Sequence, residues 1–220
     1  ARLQAACGLE FAAERKPLLV SVRSGAPVSM PGMMDTLLNI GLTDATLRGL
    51  LRLTGNPRLV WDSYRRLIQK FAEVVHAANP APFRVALETA MQRARVARAQ
   101  ELDFRSLSAL AKEYLGLFES VTGKAFPQNP FDQLEAAIGA VFDSWRSARA
   151  VEYRRMHDIP EDMGTAVTVQ RMVFGNAGGR SGSGVGFTRD PASGENRLYL
   201  DFRFNSQGED VVAGRHGAND

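Results

Sequence analysis

Residues 17–33, PLLVSVRSGAPVSMPGM, decide how the rest of the chain is read. Pro17 opens an apolar run, Leu18 to Val22, with the length and β-branched content of a buried strand, and the run stops at Arg23. Ser24 to Met33 hold two glycines and two prolines in ten residues, which fits a loop and neither a helix nor a central strand. Upstream, residues 1–16 read as the end of a helix. An arginine at the end of a buried strand, followed by bare loop amides, can aim a forked cation and several N–H groups at one anion. The same pattern also suits a shaped turn in which Arg23 pairs with a carboxylate.

Downstream the texture turns helical. TDATLRGLLRLTG (43–55) starts on a capping threonine and ends in glycine, and Pro57 opens PRLVWDSYRRLIQKFAEVVHAA (57–78). In that segment Leu59, Trp61, Tyr64, Leu67, Ile68, Phe71, Val74 and Val75 recur at three- and four-residue steps, as one buried helix face requires. Further helices are predicted over 82–100, 104–121 and 131–156. From Pro160 the sequence turns β-rich: TAVTVQRMVFG (165–175), a glycine loop NAGGRSGSG (176–184), a short strand VGFTR (185–189), a DPASGE turn and an alternating RLYLDFRFN (197–205). One strand, about a hundred helical residues, then an antiparallel meander give an α+β fold with a helical insertion. The expected parts are 1–42, β-containing with a phosphate-binding loop, 43–159, helical, and 160–220, β-rich with a glycine-rich flap.

Composition narrows the function classes. The chain has 220 residues, 45% hydrophobic and 23% charged, which excludes a disordered or fibrous protein. No apolar run approaches the roughly 20 residues of a membrane helix, and the N-terminus lacks a secretory layout, so no membrane partner is expected. The single cysteine, Cys7, excludes an internal disulfide and reads as a small buried apolar residue; His76, His157 and His216 lack zinc-ligand spacing and read as structural. A reducing cytoplasm fits, with a plastid form left open, and the missing initiator methionine fits an excised piece. Lysines and arginines number 27 against 24 acids, a net charge of +3, and only four of the cations are lysine. Arginine suits phosphate, although a compositional habit of the source genome gives the same bias. Arg84, Arg93, Arg95 and Arg98 have no interleaved aromatics and read as a solvated helix face, so no nucleic acid is expected.

Two further clusters carry candidate chemistry. Five glycines between Ala177 and Gly186 form either a hairpin connection or a flap whose amides cover a polyphosphate; GxxxxGK[ST] is absent. Asp201, Asn205, Gln207, Glu209 and Asp210 can supply oxygen ligands to magnesium, acceptors for a ribose, or exposed strand-edge charges.

The segments PLLVSVRSGAPVSMPGMMDTLLNIGLTD (17–44), GNPRLVWDSYRRLIQKFAEVV (55–75), the stretch from FPQNPFDQLEAA to TVQRMVFGN (126–176), SGSGVGFTRDPASGE (181–195) and NSQGEDVVAG (205–214) closely resemble pyruvate phosphate dikinases. The resemblance runs in order through nearly the whole chain, is thinnest near 80–122, and stops at the tail RHGAND. It implies part of an N-terminal ATP-grasp-type nucleotide-binding domain. The enzyme so implied moves the β-phosphoryl of ATP to a histidine on a swivelling domain, phosphorylates inorganic phosphate, and interconverts pyruvate and phosphoenolpyruvate. By resemblance Arg23 is the catalytic, phosphate-binding arginine, and Arg66 a second arginine toward the nucleotide. Gly178, Gly179, Ser181, Gly182 and Gly184 match the flap over ATP, and Glu209 and Asp210 the acidic pair of QGEDVV. Asp201 stands where the family usually has glutamate, keeping the carboxylate with a shorter reach. The implied partners are ATP, Mg2+ and the swivelling phosphohistidine domain, with the magnesium-binding carboxylates and ATP-clamping lysine outside these residues. The chain alone is therefore expected to be inactive, and the alternative is a stand-alone nucleotide-binding or scaffold module.

Overall fold

The computed structural model describes residues 2–208. They divide at Met172/Val173 into two compact units, each described by itself. The first is built on a three-stranded antiparallel sheet in the order β2-β1-β3, from β1 (Val20–Gly25), β2 (Thr36–Ile40) and β3 (Ala166–Arg171). Central β1 buries Val20 and Val22, and β2 buries Leu37 and Ile40. Helices α1 (Arg2–Cys7), α2 (Asp44–Thr54), α3 (Pro57–Val75), α4 (Ala81–Ala94), α5 (Phe104–Thr122), α6 (Pro130–Asp143) and α7 (Ala148–Met156) complete this unit.

Local sequence explains where the helices start and stop. The Thr43 hydroxyl caps α2 by accepting from the Thr46 amide, Asn56 caps α3 with Pro57 at its first turn, and Asp103 caps α5 through the Ser106 amide. Gly55 and Gly123 close α2 and α5 at φ 62° and 69°, backbone that glycine adopts without strain. Helix α6 packs on the sheet, and its buried Gln133 ties the β2 exit down: the side chain accepts from the Gly41 amide at 3.0 Å and donates to Leu42 O at 2.9 Å and Pro127 O at 2.8 Å.

Several expectations need correction. The N-terminal helix ends at Cys7, and residues 9–17 are irregular apart from a Glu10–Pro17 bridge; Cys7 itself is half-buried. Residues 36–40 are a strand that pattern reading passes over, so β1 has a partner on each side. The helix expected over 131–156 is two helices. Between them Ser144–Arg146 is a 3₁₀ turn whose Ser144 hydroxyl donates to Val141 O at 2.7 Å, and Ser147 caps α7 through the Ala150 amide. The expected continuous meander does not form: β3 pairs with β1, while β4 (Gly182–Phe187) and β5 (Tyr199–Phe204) make a separate two-stranded sheet in the second unit. Both edges of a buried strand demand hydrogen-bond partners, and β3 satisfies the edge of β1 that β2 leaves open.

Gly49 shows how tightly α2 is seated. A Cβ there would lie 2.2 Å from Glu14 O and 2.7 Å from Pro17 Cδ. Alanine gains roughly 1 kcal/mol of helix propensity over glycine, whereas forcing an atom into packed backbone costs about 1–3 kcal/mol. The clash wins because a carbonyl cannot rotate aside, so Gly49→Ala will lower the thermal midpoint; a midpoint raised by the substitution would refute this packing.

Candidate functional site

Arg23 sits on central β1, opposite Thr36 of β2 and Thr168 of β3. Its neighbours Ser21 and Val22 are buried, but Arg23 is exposed, and it has no hydrogen-bond or ion-pair partner among the described residues. Among the described residues no carboxylate pairs with Arg23. The loop after Arg23 is pinned at its far end. Met30 is buried in a cluster with Trp145 and Ala150, joined by Ala26, Met33, Met34, Tyr153 and Ile159. Arg149 donates to Met33 O at 3.0 Å and pairs with Asp35, whose amide donates to the Ser144 hydroxyl at 3.3 Å. Arg154 stacks over the Trp145 ring at 4.0 Å and donates to Trp145 O at 2.6 Å. The 3₁₀ turn that interrupts the predicted long helix is thus the anchor of this loop.

Arg66 lies on α3, half-buried, with Nε 3.0 Å from Asp62 Oδ2. Asp62 is itself buried, and Arg65 Nη2 lies 2.5 Å from its Oδ1. Burial pushes the Asp62 carboxyl up, but Arg65, Arg66 and Arg58 together outweigh it and hold the carboxyl below its ordinary value. The Tyr114 hydroxyl, which contacts Arg65 and donates to Phe83 O at 2.7 Å, is pushed up to about 12, first by burial. Asp62, Arg65 and Tyr114 escaped sequence reasoning, although an acid three and four residues before two arginines on a helix is ion-pair spacing that could have flagged them.

In the second unit, Gly178 and Ser181 come together in one tight turn. The Gly178 amide donates to Ser181 Oγ at 2.9 Å, and the Ser181 hydroxyl and amide both approach Gly178 O, at 2.7 and 3.0 Å. Gly179 lies within that turn. Gly182 and Gly184 are in β4, so the loop is shorter than the sequence pattern indicates. A Cβ on Gly182 would lie 2.3 Å from the Phe202 ring and 2.5 Å from Arg203 O, and one on Gly184 2.6 Å from Asp201 O. Close approach of β5 is a sufficient reason for both glycines. Asp201 faces Val185 across the ladder and is exposed. The strand alternates in sequence, but Leu200, Phe202 and Phe204 are as open to solvent as Asp201 and Tyr199. Glu209 and Asp210 lie outside the described residues.

The remaining candidates are bland. Arg84, Arg93, Arg95 and Arg98 are exposed, with Arg98 paired to Glu101 at 3.0 Å. His76 packs edge-on to Phe118, and His157 stacks on Tyr153 at 4.1 Å; His216 lies outside the described residues. Among the described residues no helix is long and apolar enough to cross a membrane.

The described residues define a mixed helix-and-sheet, α+β class of protein, with Arg23 on the central strand beside a glycine- and proline-rich loop. The comparisons with known proteins identify the family. The family model described as pyruvate phosphate dikinase, AMP/ATP-binding domain, matches residues 2–219, and the chain belongs to that family. It is 50% identical to the pyruvate, phosphate dikinase of Clostridium symbiosum over 208 residues, 94% of this chain and 24% of that protein. The Giardia intestinalis dikinase is 50% identical over 96% of the chain, and that of Rhizobium meliloti 47% over 97%. The chain spans about a quarter of the length of these relatives.

Proposed function

We propose that this chain supplies phosphate-binding elements of the ATP site of a pyruvate phosphate dikinase, within an ATP-grasp-type domain whose helical part is 43–159. The reaction converts ATP, phosphate and pyruvate to AMP, diphosphate and phosphoenolpyruvate through a phosphohistidine on a swivelling domain. The observation that carries the reading is Arg23: an exposed guanidinium, unpartnered among the described residues, on the central strand beside a pinned loop. A planar fork there meets two phosphate oxygens at once and gains strength as charge develops on the transferring group. Arg66 is a second cation toward the phosphates. Gly178, Gly179, Ser181, Gly182 and Gly184 supply a glycine-rich flap over ATP, and Asp201, with Glu209 and Asp210, offers acceptors to the nucleotide.

Magnesium, when bound, neutralises phosphate charge during such transfers. Among the described residues no three potential ligands come together as a metal site, so none is assigned to it and no step is derived through it. A cytoplasmic setting goes with this reading.

The test is direct. Residues 1–220 alone, given ATP, phosphate, pyruvate and Mg2+, should form neither phosphoenolpyruvate nor AMP, whereas a full-length dikinase containing this sequence should form both. Turnover by the 220 residues alone, or a gene that encodes no histidine-bearing domain beyond them, would overturn the proposal.

A further inference from the structure

Asp62, Arg65, Arg154 and Asp190 are the charged side chains buried among the described residues. Asp62 pairs with Arg65 and Asp190 with Arg197, each at 2.5 Å. Arg154, 3% exposed on the last turn of α7, has no carboxylate partner among the described residues, and its Nε has no hydrogen-bond partner there. Its guanidinium lies over the Trp145 ring at 4.0 Å and donates through Nη1 to Trp145 O at 2.6 Å. Burying a cation without a counter-charge costs stability, and an apolar side chain of similar volume is often as good or better at such a place. Breaches of that rule are expected where a residue serves the site rather than the fold. Stability alone does not account for Arg154.

What Arg154 holds is Trp145. The indole Nε1 donates to Glu161 O at 3.2 Å, and the ring packs with Ala26, Met30, Met33 and Met34 of the segment that follows Arg23. At its other end that segment leaves β1 through Ser24 and Gly25, paired with Val167 and Ala166 of β3. Between the two fixed ends Pro27, Val28 and Ser29 are exposed. We propose that Arg154 is a positioning residue for phosphoryl transfer: it holds the indole against Met30 and so fixes the loop that stands beside Arg23. This rests on the reading of Arg23 and its loop given above. A flat guanidinium covers the indole face while its N–H groups reach the carbonyl of the same residue, so ring and backbone are fixed together; an apolar chain fills the volume and leaves the ring free to turn. A loop fixed in advance is not ordered afresh on each binding event, and its amides stay where the moving phosphoryl group needs them.

The experiment uses a full-length dikinase containing this sequence and measures single-turnover phosphorylation of the swivelling histidine at saturating ATP, per molecule able to bind adenosine. Adenosine carries no phosphate, so counting the molecules that bind it removes any misfolded share. Arg154→Met should slow the step about tenfold to a hundredfold, since a small misplacement from a change away from the chemistry has an effect of that size. Arg154→Lys, which keeps the charge and loses the flat stack, should lose less. Met30→Ala removes the same anchor from the loop side and should also be slow, and the double variant Met30→Ala/Arg154→Met should be no slower than the slower single one. A normal rate for Arg154→Met, or losses that multiply in the double variant, would overturn the positioning role and leave the Arg23 reading standing. If neither Arg154 variant yields protein that binds adenosine, Arg154 is structural and the proposal falls. A normal rate for Arg23→Ala would overturn the Arg23 reading and the positioning role with it.

Discussion

Arg23→Ala, made in a full-length dikinase containing this sequence, will slow single-turnover phosphorylation of the swivelling histidine about a hundredfold while weakening ATP binding far less. The asymmetry follows from where the charge is. Ground-state ATP already has cations and solvent to spread its charge; the transferring group gathers more on its oxygens as it moves, and a guanidinium held on a rigid strand responds to that increment. Losing such a contact costs on the order of 3 kcal/mol of transition-state stabilisation, which is about two decades in rate. The fold will barely notice. Arg23 is exposed and has no ion-pair partner among the described residues, so its removal should change stability by no more than about 0.5 kcal/mol. Arg23→Lys should recover part of the rate, because a point charge restores attraction without the two-pronged geometry. A fallen melting temperature with normal chemistry per folded molecule would remove Arg23 from the site.

The parts of this fold that were legible in the sequence are those fixed by neighbours a few residues away. Thr43 marks a helix start, Gly55 its end and Pro57 the next start, and the apolar run 18–22 marks the central strand, which in the structure spans Val20–Gly25 and so takes in Ser24 and Gly25 that were read as loop, because capping and strand burial leave local signatures. What was missed depends on distant partners. Thr36–Ile40 is short, its Asn39 has φ 61°, and only pairing with β1 makes it a strand. Ser21 and Gln170, opposite each other on β1 and β3, are 149 residues apart in the chain, and nothing local tells β3 to choose that partner over β4. The break at Ser144–Arg146 carries no proline or glycine; it is made by Trp145 packing on the Met30 loop. On α3 the apolar repeat correctly marks Tyr64, Leu67, Ile68 and Phe71, but Trp61, Val74 and Val75 are only half-buried while Asp62, Ser63 and Arg65 are buried. Periodicity reports one covered face, and α3 is covered on more than one. For the candidate site, Arg23 and the glycine turn were visible as patterns and their assignment to a nucleotide came with the resemblance, while the Asp62 ion pairs had a spacing signal on α3 that went unread.

Phe118→Ala will produce the largest loss of stability, because it removes the ring that joins α3 to α5. Phe118 is fully buried, edge-on to Phe126 with centroids 5.3 Å apart and to His76 at 5.5 Å, and tilted against Phe71 at 6.3 Å. Truncating a buried phenylalanine to alanine typically costs about 3–5 kcal/mol, from lost transfer energy plus the unfilled cavity. Domains of this kind are stable by only about 5–15 kcal/mol, so this one ring accounts for a large share. At about 2–4 °C per kcal/mol for a chain of this length, the midpoint should fall by roughly 6–20 °C, and Phe118→Leu, which fills most of the space, should lose far less. The neighbouring histidine supplies a second readout. Burial, and secondarily the charge of Lys124, hold His76 below its ordinary value in the folded state. A folded-state value below the unfolded 6.5 means the unfolded chain takes up the proton first, so acidification through that window costs the wild type stability. Water admitted by the missing ring relaxes the burial and raises the folded value, so the gap between Phe118→Ala and wild type should narrow as the pH drops from 7.5 to below about 6. Equal gaps at both pH values would mean that the Phe118 ring does not desolvate His76, and a midpoint within a degree of wild type would mean that α3 and α5 are held together without it.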